Sequence, residues 1–159
     1  MTLRIGHGLD AHRLEPGRPL MLGCVPVPSD LGLVGHSDGD AAAHALADAC
    51  LGAAALGTMG DHFPSGAERW RGVSGREFLG LVAAKLAQAG ARVTSAEVAL
   101  VCARPRLAPF FAAMGEAMSA ALSTPPGTVT VTATSGDGLG AAGRGEGILA
   151  SAVVLLEVD

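Results

Sequence analysis

The stretch Gly35–Gly57, GHSDGDAAAHALADACLGAAALG, limits what this chain can fold into more than any other. A polar, glycine-bearing turn (Gly35, His36, Ser37, Asp38, Gly39, Asp40) runs straight into alanines and leucines, which are strong helix formers. Ser37 followed by Asp40 fits the signal of a helix N-terminus. It predicts a helix from about Asp38 to Leu56, stopped by Gly57. Asp40, His44 and Asp48 recur at four-residue spacing and therefore share one helix face. Three ionisable groups among alanines make a poor core face, so the spacing predicts a face that looks into a polar site.

The rest of the chain has to bury an unusual amount of apolar surface around that helix. Of 159 residues, 49% are hydrophobic and 16% charged, and the mean hydropathy is +0.40. That length suits one domain spanning 1–159. No stretch reaches the roughly 18 uninterrupted apolar residues of a membrane helix, since Asp48 and Glu157 break the greasiest runs. No membrane partner is expected, and the surplus apolar surface predicts an oligomer interface. The N-terminal MTLRIGHG lacks a secretory pattern. Cys24, Cys50 and Cys102, odd in number and set in apolar runs, read as buried free thiols of a cytoplasmic protein. A net charge of −4 with few aromatics and no basic cluster argues against nucleic acid as a partner.

Leu3–Gly8 and Leu20–Val27 read as strands around a turn carrying Glu15, Pro16 and Gly17. After the central helix, Gly57–Gly72 reads as a loop able to hang over a site. Ser74 with Glu77 opens a second helix that Gly90 ends. Glu97–Cys102 is a strand, Pro109–Leu122 a third helix, and Thr128–Thr134 an alternating strand. Gly136–Gly147 is a glycine-rich loop before a last strand, Ile148–Val158. The order β-β-α-α-β-α-β-β predicts an α+β, two-layer sandwich: one mixed sheet, helices on one face, the other face free to meet a partner.

Four places carry candidate chemistry. In an extended segment Asp10 and His12 project to the same side, and His44 facing inward would complete an Asp/His/His set of the kind that holds catalytic zinc. The turn His36-Ser37-Asp38-Gly39 at a helix N-terminus suits an anionic group, although Ser37 can equally be a plain cap. Thr134, Ser135 and Asp137 set hydroxyls and a carboxylate beside glycines, as phosphate and Mg²⁺ require, or as an ordinary turn would. Arg104 and Arg106 around Pro105 fit a phosphate or open solvent, and Arg144 and Glu146 can pair with each other or with neighbours in an oligomer.

GHGLDAHRL at Gly6–Leu14, HSDGD with His44 inside Gly35–Gly57, and GLGAAGRGEG at Gly138–Gly147 together resemble the 2-C-methyl-D-erythritol 2,4-cyclodiphosphate synthases, from end to end of the chain. The resemblance implies an enzyme of the non-mevalonate route to isoprenoid precursors, a phosphorus–oxygen lyase. Such enzymes convert 4-diphosphocytidyl-methylerythritol 2-phosphate to the cyclic diphosphate and release CMP. It implies a homotrimer with sheets facing the threefold axis and active sites at subunit boundaries, and an isoprenoid diphosphate able to occupy the axial cavity. Residue by residue, it implies one zinc per subunit on Asp10, His12 and His44, and Mg²⁺ or Mn²⁺ on Asp137. His36 and Ser37 would contact the methylerythritol phosphate, and His36 and Ser135 would stabilise the transition state. Thr134, Gly136, Cys102, Arg106 and Ala108 would belong to the cytidine-phosphate pocket, and Arg144 to the axial cavity.

Several positions depart from the family pattern. Gly57-Thr58-Met59-Gly60 stands for G-D-I-G, whose aspartate holds the cytidine ribose, with Asp61 as a substitute in a different register. Phe63-Pro64-Ser65 stands for F-P-D, and Ala141 replaces a cavity-wall aromatic. Two competing readings follow from these changes. One is a relative acting on another nucleotide diphosphate; the other is a non-catalytic trimer that binds an isoprenoid diphosphate, against which the retained zinc ligands and His36 argue.

Overall fold

The computed structural model describes all residues, 1–159. The main sheet is built from β1 (Thr2–Pro16), β4 (Leu31–Leu33), β5 (Ala91–Val101), β6 (Val129–Thr134) and β7 (Gly147–Val158), in the order β4-β1-β7-β5-β6. Its neighbours pair antiparallel except β5 and β6, which are parallel, so the sheet is mixed. β2 (Leu20–Leu22) and β3 (Val25–Val27) form a separate hairpin. The helices are α1 (Ala41–Ala53), α2 (Met59–His62), α3 (Gly75–Gln88), α4 (Phe111–Ala121) and α5 (Gly140–Gly143).

The sheet's two faces differ sharply. Gly6, Gly8 and Leu14 of β1 and Ile148, Ala150, Ala152, Val154 and Leu156 of β7 are buried under the helix layer. The alternate residues stay open, with Leu3 at 61%, Ile5 at 76% and Leu9 at 59% exposure. In β5 a register shift between Val93 and Ser95 changes which parity faces inward, so Val93 and then Ala96 both reach the core.

The central helix is buried on nearly every side, as a helix apolar all round must be. Its contact with β1 is backbone against backbone. An added Cβ at Gly6 would meet Ala49 O at 2.0 Å, and one at Gly8 would meet Ala45 O at 2.0 Å. Four helical residues advance about 6 Å and two strand residues about 6.6 Å, so helix and strand stay in step. Continuing one step along β1 brings Asp10 to the first turns of α1, where His44 lies.

Several boundaries differ from expectation. The N-cap of α1 is Asp40, whose carboxylate accepts from Ala43 N, so the helix starts at Ala41 rather than at Asp38 and Ser37 is not the cap. The first strand runs to Pro16 because Asp10 and His12 pair with Ala150 and Ile148 just as Gly6 and Gly8 pair with Val154 and Ala152, and Leu14–Pro16 then pair with β4. Leu20–Val27 is two short strands folded at Gly23-Cys24, both at positive φ, instead of one. β5 begins at Ala91, six residues before Glu97, and α4 at Phe111 after a short 3-10 turn, Ala108–Phe110. The expected loops contain the short helices α2 and α5, and β4 has no counterpart in the expected order.

Candidate active site

Side-chain alternation puts Asp10 and His12 on the helix-covered face of β1, and α1 delivers His44 to the same point. Asp10 Oδ2 lies 2.8 Å from His12 Nε2 and 3.2 Å from His44 Nδ1, and those two nitrogens are 3.3 Å apart. A tetrahedral zinc with ligands at about 2.0–2.1 Å separates its donors by roughly 3.3 Å, so the three atoms fit that ion. The outer nitrogens are already engaged. His12 Nδ1 donates to Val34 O at 2.6 Å, which leaves Nε2 for the site, and His44 Nε2 meets Ser37 Oγ at 3.2 Å. Phe78 packs edge-on against the His44 ring with centroids 5.6 Å apart, which limits its rotation.

The electrostatics suit cation binding. Burial alone would raise the Asp10 carboxyl, but hydrogen bonds and charge from His12 and His44 hold it well below the usual carboxylate range. Burial opposes a charge on His12, yet the Asp10 carboxylate and the Val34 carbonyl raise it above its ordinary value of 6.5. A proton on Nε2 therefore competes with a metal. Zinc affinity should rise about tenfold per pH unit while His12 retains that proton and level off above its raised pKa. A zinc titration between about pH 5.5 and 8 measures this, and pH-independent affinity would exclude His12 as a ligand.

The turn carrying His36 and Ser37 is clamped by two carboxylates. Asp38 accepts from Asp40 N at 3.0 Å and from Gly75 N at 2.9 Å, which ties the turn to α3. Asp40 accepts from Gly23 N, Cys24 N and Ala43 N at 2.7–3.0 Å and is fully buried. Asp40 therefore does not share the polar face predicted with His44 and Asp48. It turns away from the site because three backbone donors of the hairpin and helix end need an acceptor. Asp48 does face the site.

A cleft of about 240 Å³ opens beside this cluster, lined by Asp10, His12, His36, Ser37, His44, Asp48, Met59, Gly60, Phe63, Ser65, Trp70 and Phe78. The flap Gly57–Gly72 is fastened to the body by hydrogen bonds along its length. Met59 N donates to Asp48 Oδ1 at 2.7 Å, His36 Nε2 meets Ala67 O at 3.2 Å, and Gly72 N donates to His36 O at 2.9 Å. Thr58 lies just outside the cleft, where its N–H and hydroxyl both donate to Asp61 Oδ2, at 2.8 and 2.9 Å. Met59, Trp70 and Phe78 were missed from sequence. A signal was present: with four Phe and one Trp in the chain, an aromatic near the flap is a marked choice.

The other expected site residues lie apart from this cleft. Thr134 ends β6 and Ser135, Gly136 and Asp137 follow it, while Cys102, Arg106 and Ala108 follow the C-terminal end of its parallel neighbour β5, with Cys102 N donating to Thr134 O at 2.9 Å. Most are open to solvent; Cys102 is buried, and burial pushes its thiol up to about 11. Cys24 and Cys50 are also free and buried. Ala141 lines a separate pocket of about 410 Å³. Arg144 pairs with Glu146 at 2.7 Å on the exposed surface. No helix is long and apolar enough to cross a membrane.

The 2-C-methyl-D-erythritol 2,4-cyclodiphosphate synthase of Moorella thermoacetica is 49% identical over 154 residues, covering 97% of this chain and 94% of that protein. The bifunctional enzyme IspD/IspF of an Anaeromyxobacter species is 50% identical over 152 residues, and this chain spans 39% of its length. A solved 2C-methyl-D-erythritol-2,4-cyclodiphosphate synthase in its CDP-bound form superposes with a TM-score of 0.88 at 40% identity, over 97% of this chain and all of that one. The bifunctional IspDF of Campylobacter jejuni superposes at 0.95 with 32% identity, over 99% of this chain and 43% of that one. The model of the YgbB family matches residues 3–157, and the chain belongs to that family.

Proposed function

We propose that this chain converts 4-diphosphocytidyl-2-C-methyl-D-erythritol 2-phosphate to 2-C-methyl-D-erythritol 2,4-cyclodiphosphate and CMP, in the non-mevalonate route to isoprenoid precursors. The observation that carries this is the convergence of Asp10, His12 and His44 on a cleft rimmed by His36 and Ser37, in a chain 49% identical to a synthase over nearly its full length. A 2-phosphate oxygen bonds to the β-phosphorus, the bond from that phosphorus to the bridging oxygen breaks, and CMP leaves with that oxygen. Both reacting groups are anionic, so the difficulty is repulsion and alignment, and no protein nucleophile is needed. Zinc on Asp10, His12 and His44, with Mg²⁺ or Mn²⁺ near Asp137, would neutralise that charge and polarise the phosphorus.

The chain's own residues do the positioning. Asp10 stays ionised and His12 and His44 are oriented by Val34 O and Ser37, so the donors need no rearrangement. His36, anchored to Ala67 O, is set to bind the 2-phosphate and stabilise charge in the transition state. The hydroxyl of Thr58 is spent on Asp61, whose carboxyl the bonds from Thr58 lower, and Asp61 would stand in, in a different register, for the ribose-binding aspartate that the family pattern has at position 58.

Ser135 as transition-state stabiliser, Asp137 as cation ligand, and Thr134, Gly136, Cys102, Arg106 and Ala108 as cytidine-phosphate contacts lie outside the cleft of their own chain. We propose that they complete the site of a neighbouring copy in a homotrimer packed through the open sheet face. The exposed Leu3, Ile5, Leu9, Leu149 and Val153 on that face support this packing. Arg144 and Ala141 would then border an axial cavity able to hold an isoprenoid diphosphate. The chain acts as one domain and resides in the cytoplasm in this reading.

The test is turnover by zinc-loaded protein with Mg²⁺, followed by ³¹P NMR. CMP and cyclic diphosphate should appear together in equal amounts. CMP alone would mean hydrolysis, and no product with zinc bound would overturn the assignment.

A further inference from the structure

We propose that Asp48 recognises the substrate's polyol by accepting one of its free hydroxyls, while holding the flap closed through its other oxygen. This rests on the function proposed above. Asp48 lies one helical turn beyond His44 on the same face of α1 and lines the cleft. Its Oδ1 accepts from Met59 N at 2.7 Å, at the start of the flap helix α2. Its Oδ2 has no donor from the protein, and since no buried side-chain oxygen is unpaired, that atom stands open to the cleft.

The neighbouring groups are already committed. Asp10, the one other carboxylate on the cleft wall, is held between His12 and His44. Ser37 Oγ accepts from Gly39 N and contacts His44, and His36 is bonded to the flap. Asp48 Oδ2 is thus an unoccupied anionic acceptor facing the cleft. It repels phosphate and attracts a donor, so it sorts the substrate along the cleft, with phosphates toward the histidines and hydroxyls toward Asp48. In the substrate the C2 and C4 oxygens carry phosphate, which leaves hydroxyls at C1 and C3 for this contact. Filling Oδ2 also fixes the carboxylate that retains Met59, so substrate binding tightens the flap.

The test compares wild type, Asp48→Asn and Asp48→Ala as zinc-loaded proteins. Asparagine can keep its oxygen on the Met59 amide, but it then offers the substrate hydroxyl a neutral N–H donor in place of a charged acceptor. KM for Asp48→Asn should rise roughly tenfold to a hundredfold, as loss of a charged acceptor implies. Zinc content should equal that of wild type and kcat should fall less than KM rises. A substrate analogue lacking the contacted hydroxyl should show the same KM with wild type and Asp48→Asn. Asp48→Ala should in addition speed hydrogen exchange at the Met59 amide. A KM within twofold of an active wild type, or zinc lost in step with activity, would overturn the proposal. An inactive wild type would instead overturn the function on which it rests.

Discussion

Replacing His44 with alanine should abolish zinc binding and turnover together while the fold persists. His44 supplies one of three donor atoms that lie within 4.8 Å of one another, and no other histidine or cysteine joins that set. Removing a residue that merely orients a metal ligand costs roughly 10–100-fold in affinity or activity. Loss of the ligand itself should exceed about 100-fold in zinc affinity. The remaining pair, Asp10 and His12, stay 2.8 Å apart and bonded to each other, so the site does not strand a buried charge. The readouts are zinc content, turnover, and the rise in Tm on adding zinc, which mass action gives to any ligand of the native state. Wild type should show that rise and His44→Ala should not. A variant that keeps full turnover without zinc would sink the metal assignment.

The second large effect comes from a residue that touches no ligand. Gly8→Ala should destabilise the protein by about 3 kcal/mol or more, at the upper end for overpacking, because its Cβ would sit 2.0 Å from Ala45 O and 2.7 Å from Ala49 N. Both are backbone atoms of α1, which cannot swing aside as a side chain can. For a chain of this size the loss corresponds to roughly 6–12 °C in Tm. The helix must lift from β1, and His44 rides on that helix while Asp10 and His12 stay with the strand. Zinc affinity should therefore fall at least about tenfold as well. Gly52→Ala on the same helix is the control: it is exposed, no atom lies within 4 Å of its added Cβ, and it should gain about 0.5–1 kcal/mol. Equal Tm values for Gly8→Ala and wild type would mean the strand–helix contact is looser than 2.0 Å implies.

Both effects show how the site was partly legible beforehand. The period-2 relation of Asp10 to His12 and the helical face of His44 and Asp48 survive in the structure, because strand and helix periodicity are local properties of the backbone. Asp40 obeys the same spacing and yet leaves the face. Its neighbourhood is set by Gly23 and Cys24, which arrive from 17 and 16 residues earlier in the chain. Ser37 likewise looked like a cap and instead lies against His44, since the helix begins three residues later than its signal suggested. The flap was the least legible part. Its helical turn is held by Thr58 and Asp61 and by Asp48 from another element, which no periodicity reveals.

By itself the sequence determined the main elements and the donor types: a helix of small residues able to lie on a glycine-bearing strand, two histidines and an aspartate at the right local spacings, and more apolar surface than one layer can bury. These follow from propensity, alternation and composition, which act over a few residues. The tertiary structure alone decided that His44 meets Asp10 and His12 at 3.2–3.3 Å, that Asp40 serves the hairpin, and that Trp70 and Phe78 wall the cleft. It also decided that Asp48 both fastens the flap and keeps one oxygen open. Such contacts join residues from 11 to 34 positions apart, and their geometry depends on how closely two backbones approach. Here that approach is set by the absence of a Cβ at Gly6 and Gly8.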